Sequence, residues 1–396
     1  MVNHLIIGAG ITALTLAWQL KSLHPDHSIL ILEKSSRAGG WIQTMDHEGF
    51  LFELGPHSAR GMDVFALAQE LGLSDQIIYS NSAASRRYIY YQGKLRALPK
   101  SFLELAAARW MYPVFWGLVS EPFRRRGHLQ DESVQEMMYR RIGKKATDLL
   151  VDPLVKGIYG GSIDSISSAW AFPKLYEWEK QYGSFLMGAL RARKKENKIF
   201  TFKNGMRTLI CALYEKLEKN ILFNKNVEKV EQHCVVCKDG EEFTADKIYD
   251  TRPKCNELPY LGLHVISLGY RQAKLCHEGF GYLIPSSEQE DVLGVIWDSS
   301  IFAQQNSGED ARLTVMVKEE VENPIDVALE AVGRQMGLHQ KPDAIHHFHA
   351  RNAIVQYPVG YHILPSSICE LGTHVSGVSV NDCIAYARKT ALSCGF

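Results

Sequence analysis

The chain has 396 residues and a mass of 44.7 kDa, with 46% hydrophobic and 22% charged residues, which suits a globular protein of about two to three domains and excludes a disordered one. Its 44 basic residues balance 44 acidic ones, so no global field would hold nucleic acid and any basic site is local. No apolar run reaches the roughly 18 residues of a membrane-spanning helix, and residues 1–10 lack the order of a secretory or transit signal, so a cytoplasmic location is expected.

In chain order, Leu5-Ile6-Ile7 predicts a buried parallel strand, and Gly8-Ala9-Gly10-Ile11-Thr12-Ala13 opens a helix with Leu14, Ala17 and Leu20 on one side. A second strand, Ile29-Leu30-Ile31-Leu32, ends on Glu33 and completes a βαβ unit. The first glycine allows a tight turn, the second lets the backbone approach a pyrophosphate at the helix N-terminus, and Ala13 keeps the third position small. Glu33, 23 residues after Gly10, is placed to accept hydrogen bonds from both hydroxyls of an adenosine ribose and to repel a 2′-phosphate. The turn alone is a weak signal; strand, helix, strand and terminal acid together favour a dinucleotide.

Ser35 to Ile42 is a second glycine-bearing turn, in which Arg37 suits a phosphate as a guanidinium fork. The chain then passes the turn Asp46-His47-Glu48-Gly49, the strand Phe50-Leu51-Phe52-Glu53 and Leu54-Gly55-Pro56. An ordinary hairpin explains the turn but not this order, which resembles the extended FAD signature of the amine oxidase and protoporphyrinogen oxidase superfamily.

Asp63 to Leu71 reads as a short helix, and Arg87 to Tyr91 as a strand before a Gln92-Gly93-Lys94 turn. Between residues 101 and 127, Phe102, Trp110, Tyr112, Phe115 and Trp116 precede Arg124-Arg125-Arg126. Two readings fit equally: an element lying at a membrane surface, with rings at headgroup depth and arginines on anionic lipid, or a helical lid with solvated arginines. Asp131 is the expected cap of a helix running to about Leu150, followed by a glycine-rich turn, Gly157 to Gly161. A helix begins near Met206, and a small antiparallel meander follows around Val227, Val230, Val235 and Val236. Beyond Arg252, strands at 265–270, 292–297 and 313–317 with a helix from Pro324 to Met336 make a second, mostly antiparallel domain. The chain closes on a glycine turn, Gly372 to Gly377, feeding a helix with a Ser379/Asp382 capping box and Val380, Ile384 and Ala387 on one face. A helix N-terminus there would face the negative charge that grows on a reduced flavin.

Two further patterns are set aside. Cys234-Val235-Val236-Cys237 has redox spacing, but its valines read as a strand, and the eight cysteines, at 211, 234, 237, 255, 276, 369, 383 and 394, read as small hydrophobic residues. In His346-His347-Phe348-His349, His347 and His349 share a strand face with no acidic partner evident nearby, so a solvated or hydrogen-bonded face is expected rather than a metal.

Along nearly its full length the sequence resembles the protoporphyrinogen oxidase family. The resemblance rests on Gly8-Ala9-Gly10, Glu33, Gly39 to Ile42, Phe52 to Pro56, Asp152-Pro153 with Gly157 to Gly161, Phe172-Pro173, Gly183-Ser184, Gly281 to Ser287 with Asp298-Ser299, Gln356-Tyr357 and Gly377 to Ile384. It departs at His57, where the family often has Arg or Asn, at Gly372-Thr373-His374, and in shorter stretches between Asp250 and His264 and between Tyr361 and Glu370.

The resemblance implies a multidomain fold of mixed α/β and α+β class. A Rossmann-like FAD-binding domain would comprise 1–82, 202–250 and 362–396, a helical membrane-facing or lid domain 83–172, and a substrate-binding domain 173–201 with 251–361. It implies FAD held by Gly8, Gly10, Ile11, Thr12, Glu33, Lys34, Arg37, Gly39, Gly40, Trp41, Gly55, Pro56, His57, Ser58, Val227 through its backbone at the adenine, Gly372, Val378 and Val380, with no metal. The implied reaction is the six-electron oxidation of protoporphyrinogen IX, with Arg87 on a propionate (Arg86 being the neighbouring alternative), Phe302 stacking on the macrocycle and a carbonyl near Gly161 accepting from a pyrrole N–H. Oxygen or another acceptor would reoxidise the flavin. Peripheral contact with the inner face of a membrane and a homodimer complete the expected partners, and nucleic acid is not among them. Coproporphyrinogen III is the nearest alternative substrate; an amine oxidase, a desaturase or a non-enzymatic escort of related fold is further off.

Overall fold

A computed structural model describes residues 1–127, 131–192, 198–363 and 366–393. Contacts divide the chain into two units, one of residues 1–80, 197–257 and 363–396 and one of residues 81–196 and 258–362.

The first unit is built on a seven-stranded sheet. Val2–Ile7 pairs in parallel with Ile29–Leu32 on one side and Glu242–Asp250 on the other, and Ile221–Leu222 extends the sheet beyond Ile29–Leu32. Leu5, Ile6 and Ile7 are all buried, Ile6 in one apolar cluster and Leu5 and Ile7 in another, because a central parallel strand is covered on both faces. The helix Ile11–Leu23 starts from Gly10 without a side-chain cap, which leaves its first amides free for another acceptor. It buries Ala13, Leu14, Ala17 and Leu20, and the closing helix Val380–Ser393 joins the same core through Ile384, Ala387 and Ala391. The expected meander is present: Val227–Val230 pairs with Cys234–Cys237, which pairs antiparallel with Glu242–Asp250.

The second unit holds another seven-stranded sheet, antiparallel except where Gly281–Leu283 meets Tyr88–Tyr91. The helix Pro324–Met336 falls where its apolar period places it and packs Ala328, Ala331 and Val332 in one core with Ile266, Leu268, Val315 and Trp297. The same unit contains the helices between Phe102 and Arg191. There the expected Asp131 cap is corrected. Ser133 caps Val134–Ile142 with a full capping box, Glu136 bonding back to its amide, because a hydroxyl three residues before a glutamate satisfies two orphan donors at once. Asp131 instead accepts from the Gly360 amide at 2.8 Å. Nor does that helix run on to Leu150: Gly143, at φ 84°, ends it, and a new helical path begins at Lys144 and contains a π-helical turn over Thr147–Val151.

Arg141 and Glu121, 0% and 1% exposed, form a buried ion pair in these helices. Glu121 also accepts from Ser184 Oγ at 2.6 Å and the Phe185 amide at 2.8 Å, while Arg141 Nη2 donates to Gly183 O at 2.9 Å, so the two charges are paired and well bonded, with Arg141 Nε left without a partner among the described residues. Burial pushes the Glu121 carboxyl up, but these hydrogen bonds outweigh it and hold the group below its ordinary range. Around this polar centre the outer surface exposes the apolar side chains of Leu103, Trp116, Phe123 and Leu190 together with the charged Arg109, Arg124 and Arg125. Among the described residues no helix is long and apolar enough to cross a membrane.

Candidate functional site

In the first unit the expected nucleotide residues gather at the carboxyl edge of the parallel strands. Gly8 follows Val2–Ile7, Glu33 follows Ile29–Leu32, and the second glycine turn folds back so that the Gly39 amide donates to Ala9 O at 2.8 Å. Gly40, at φ 57°, brings its α-carbon so near Gly10 that a β-carbon would lie 3.2 Å from the Gly10 α-carbon. The two turns therefore meet backbone to backbone and leave a cradle of amides without side chains at the start of Ile11–Leu23, which is what a pyrophosphate needs.

Glu33 is buried, its Oε2 accepting from the Ala9 amide at 2.7 Å and its Oε1 from the Ser35 amide and hydroxyl at 2.8 and 2.7 Å. These donors fix the carboxylate at the strand end and leave acceptor capacity for a ribose hydroxyl. Arg37 folds over its own turn, donating to Ala38 O at 3.2 Å and Gly40 O at 2.9 Å, so its guanidinium stands at the rim of the cradle. Lys34 and Trp41 are exposed; Ile11 is half-buried and Thr12 buried. Gly55, Pro56, His57 and Ser58 are half-buried after the Phe50–Glu53 strand, and at Gly55 any side chain would overlap the Trp41 carbonyl.

Toward the C-terminus, Gly372 opens the Thr373–Ser376 turn and the half-buried Val378 leads into Val380, the first residue of the closing helix. Ser379 Oγ accepts from the Asp382 amide at 3.1 Å, as a capping hydroxyl does. Burial lowers the pKa of His374 within the turn, and Glu370, 3.7 Å away, only partly offsets this.

Val227, buried, opens its strand, and its carbonyl accepts from Arg252 Nη1 at 2.9 Å. Asp250 grips the same guanidinium through Nε and Nη2 at 2.9 and 2.8 Å. Neither Asp250 nor Arg252 is singled out by the sequence reading. The signal was an acid and a base two residues apart at the end of a strand, but only the pairing of that strand with Val2–Ile7 brings them to Gly8.

In the second unit the three substrate candidates stand on separate elements. Arg87 is exposed, with its guanidinium 4.9 Å from the centre of the Phe280 ring. Arg86 is exposed too, and its carbonyl accepts from the Phe280 amide at 2.8 Å. Phe302 is 3% exposed at the end of the short helix Asp298–Ile301. Gly161 is buried, and a β-carbon there would overlap Gln356 Oε1; Gln356 Nε2 donates to Tyr159 O at 2.7 Å and so fastens the turn. Trp170 stacks on Tyr357 beside it at 4.6 Å. A cavity of about 600 Å³, lined by Tyr270, Arg334, His339 and Lys341, includes none of the three.

The histidine strand has the acidic partner that local sequence hides: His349 Nε2 lies 3.1 Å from Glu319 Oε1, and His347 Nε2 lies 2.9 Å from His264 Nδ1. The face is hydrogen-bonded, and no group of three or more His, Cys, Asp or Glu among the described residues is arranged to hold a metal. The cysteines do not all behave as hydrophobes. Cys237 and Cys383 are buried and Cys234 is half-buried, but Cys211, Cys255, Cys276 and Cys369 are exposed, because sequence alone does not tell which face of an element each occupies; Cys394 lies outside the described residues.

Comparison with known proteins bears on the family and the fold. The family model described as flavin containing amine oxidoreductase matches residues 11–248. The chain is 27% identical to protoporphyrinogen oxidase of Bos taurus, over 98% of this chain and 97% of that one. It is also 27% identical to coproporphyrinogen III oxidase of Staphylococcus aureus, over 74% of this chain and 73% of the other. Its fold matches the crystal structure of an Exiguobacterium sp. 255-15 protein provisionally named protoporphyrinogen oxidase, with a TM-score of 0.83, 21% identity and coverage of 99% and 98%.

Proposed function

The chain belongs to the flavin containing amine oxidoreductase family, and from that membership we propose that it binds FAD and oxidises protoporphyrinogen IX to protoporphyrin IX. The observation that carries the cofactor is the backbone cradle of Gly10, Gly39 and Gly40 with Glu33 fixed beside it. Bound FAD would supply the redox chemistry, a two-electron oxidation needed three times, with oxygen as the final acceptor and hydrogen peroxide as its product.

The chain's own residues bind, orient and exclude water. Glycine-turn amides and Arg37 hold the pyrophosphate, Glu33 accepts from the ribose, and the Val380 end of the closing helix presents its positive pole to the flavin ring. Arg87 takes a substrate propionate as a charge-assisted pair, Phe302 packs on the macrocycle, and the Gly161 turn, held by Gln356, offers a carbonyl to a pyrrole N–H. In this reading 1–82, 202–250 and 362–396 serve FAD, 173–201 with 251–361 serve the substrate, and 83–172 supply peripheral contact with a membrane. The exposed Phe123 and Leu103 beside Arg124 and Arg125 support that last role.

Coproporphyrinogen III is the second reading, favoured by the Staphylococcus aureus relative. Porphyrin fluorescence under air separates the two. Faster turnover of the dicarboxylate at equal substrate concentration is expected, and faster turnover of the tetracarboxylate would replace the first reading with the second.

A further inference from the structure

We propose that Arg252 is a cofactor-binding residue, which closes the adenosine end of the nucleotide edge and fixes the Val227 carbonyl against which an adenine lies. The placement follows from topology. Glu242–Asp250 runs parallel to Val2–Ile7 and beside it, so Arg252 stands just past the carboxyl end of the strand next to Gly8. Carboxyl ends of parallel strands are where an α/β sheet takes its ligand. From the other side, the segment 222–227 crosses the same edge. The Glu33 amide donates to Leu222 O at 2.9 Å, the Lys225 amide donates to Glu33 O at 2.8 Å, and Val227 then opens the next strand. Arg252 joins the two margins through its 2.9 Å bond to Val227 O.

The guanidinium is set in advance. Asp250 holds it at 2.9 and 2.8 Å and also accepts from the Arg252 amide at 3.0 Å, while Lys254 braces Asp250 from 3.7 Å. Burial pushes the Asp250 carboxyl up, but the hydrogen bonds and charge of Arg252 bring it below its ordinary range, so it stays an anion. A fork already fixed loses little freedom when a ligand arrives. The Arg252 side chain nonetheless remains 35% exposed, and these bonds leave it spare N–H donors. A planar cation that is part-exposed and has unused donors suits a purine ring, by stacking or by donation to a ring nitrogen. An ion pair that served only stability would not need the reach to Val227.

The inference rests on the FAD assignment, and binding tests separate the two, since failure of the wild-type apoprotein to take up FAD would strike that assignment and not Arg252 in particular. Apoprotein of the wild type and of Arg252→Ala is titrated with FAD and with FMN, which lacks the adenosine half, and melted without flavin. Arg252→Ala is expected to raise the FAD Kd at least fivefold and to leave the FMN Kd unchanged, while the flavin-free melting midpoint falls because the buried Asp250 loses its partner. An FAD Kd raised less than fivefold, or FAD and FMN weakened together, would overturn the proposal. Should Arg252→Ala fail to fold, Arg252→Gln, which keeps donors toward Asp250 while losing the cation, is read by the same criteria.

Discussion

The nucleotide edge of the first unit and the substrate candidates of the second are assembled from different kinds of sequence. Gly8, Gly10, Glu33, Gly39 and Gly40 are near neighbours in the chain, and their turns touch through backbone atoms. Arg87, Gly161 and Phe302 come from distant parts of the second unit, one exposed and two buried. A cradle of amides tolerates almost no change in its glycines, whereas a site made of separate side chains can be altered one contact at a time. The first kind of site announces a cofactor class, and the second leaves the choice of substrate to individual residues.

The sharpest way to break the comparison is at Gly40. Gly40→Val forces a branched side chain into a φ of 57° against the Gly10 backbone, and is expected to remove bound flavin by about a hundredfold or more, read from the visible spectrum of the purified protein. A yellow Gly40→Val protein with normal occupancy would show that the cradle is not where FAD lies.

In the second unit the largest effect is expected at the buried ion pair. Arg141→Ala leaves the Glu121 charge uncompensated and should cost about 3–5 kcal/mol by chemical denaturation. The folded carboxyl of Glu121 lies below its unfolded value, so its contribution is present above the ordinary carboxylate pKa and is lost as the pH falls through the folded pKa. Glu121→Gln should therefore flatten the acid limb of the stability profile. An unchanged acid limb would assign that limb to other carboxylates.

The smallest effect separates two neighbours. Arg87→Ala is expected to raise KM about tenfold, roughly 1.4 kcal/mol, with flavin content unchanged, while Arg86→Ala leaves both alone. The reverse pattern would move the propionate to Arg86 and sharpen the contrast, since adjacent exposed arginines would then differ only by strand position.

The same contrast explains what the sequence discloses. The strand, turn and helix from Val2 to Leu23 and the helix Pro324–Met336 are legible because their apolar period and turn residues are local. Asp131 misleads because a capping acid and the Ser133/Glu136 box compete within a few residues, and only the reciprocal hydrogen bonds decide. Glu319 beside His349 and Arg252 beside Val227 depend on strand pairing across long separations, which no local pattern records. Exposure of Arg87 and burial of Phe302 depend on packing in the same way.

The central claim is that the FAD held at the glycine cradle is reduced by a porphyrinogen. The measurement that tests it most directly is an anaerobic rapid-mixing experiment in which purified protein meets protoporphyrinogen IX, with flavin absorbance and porphyrin fluorescence followed together. Bleaching of the flavin in step with the rise of porphyrin is the expected result. Bound flavin that stays oxidised in the presence of protoporphyrinogen IX and of coproporphyrinogen III would contradict the account.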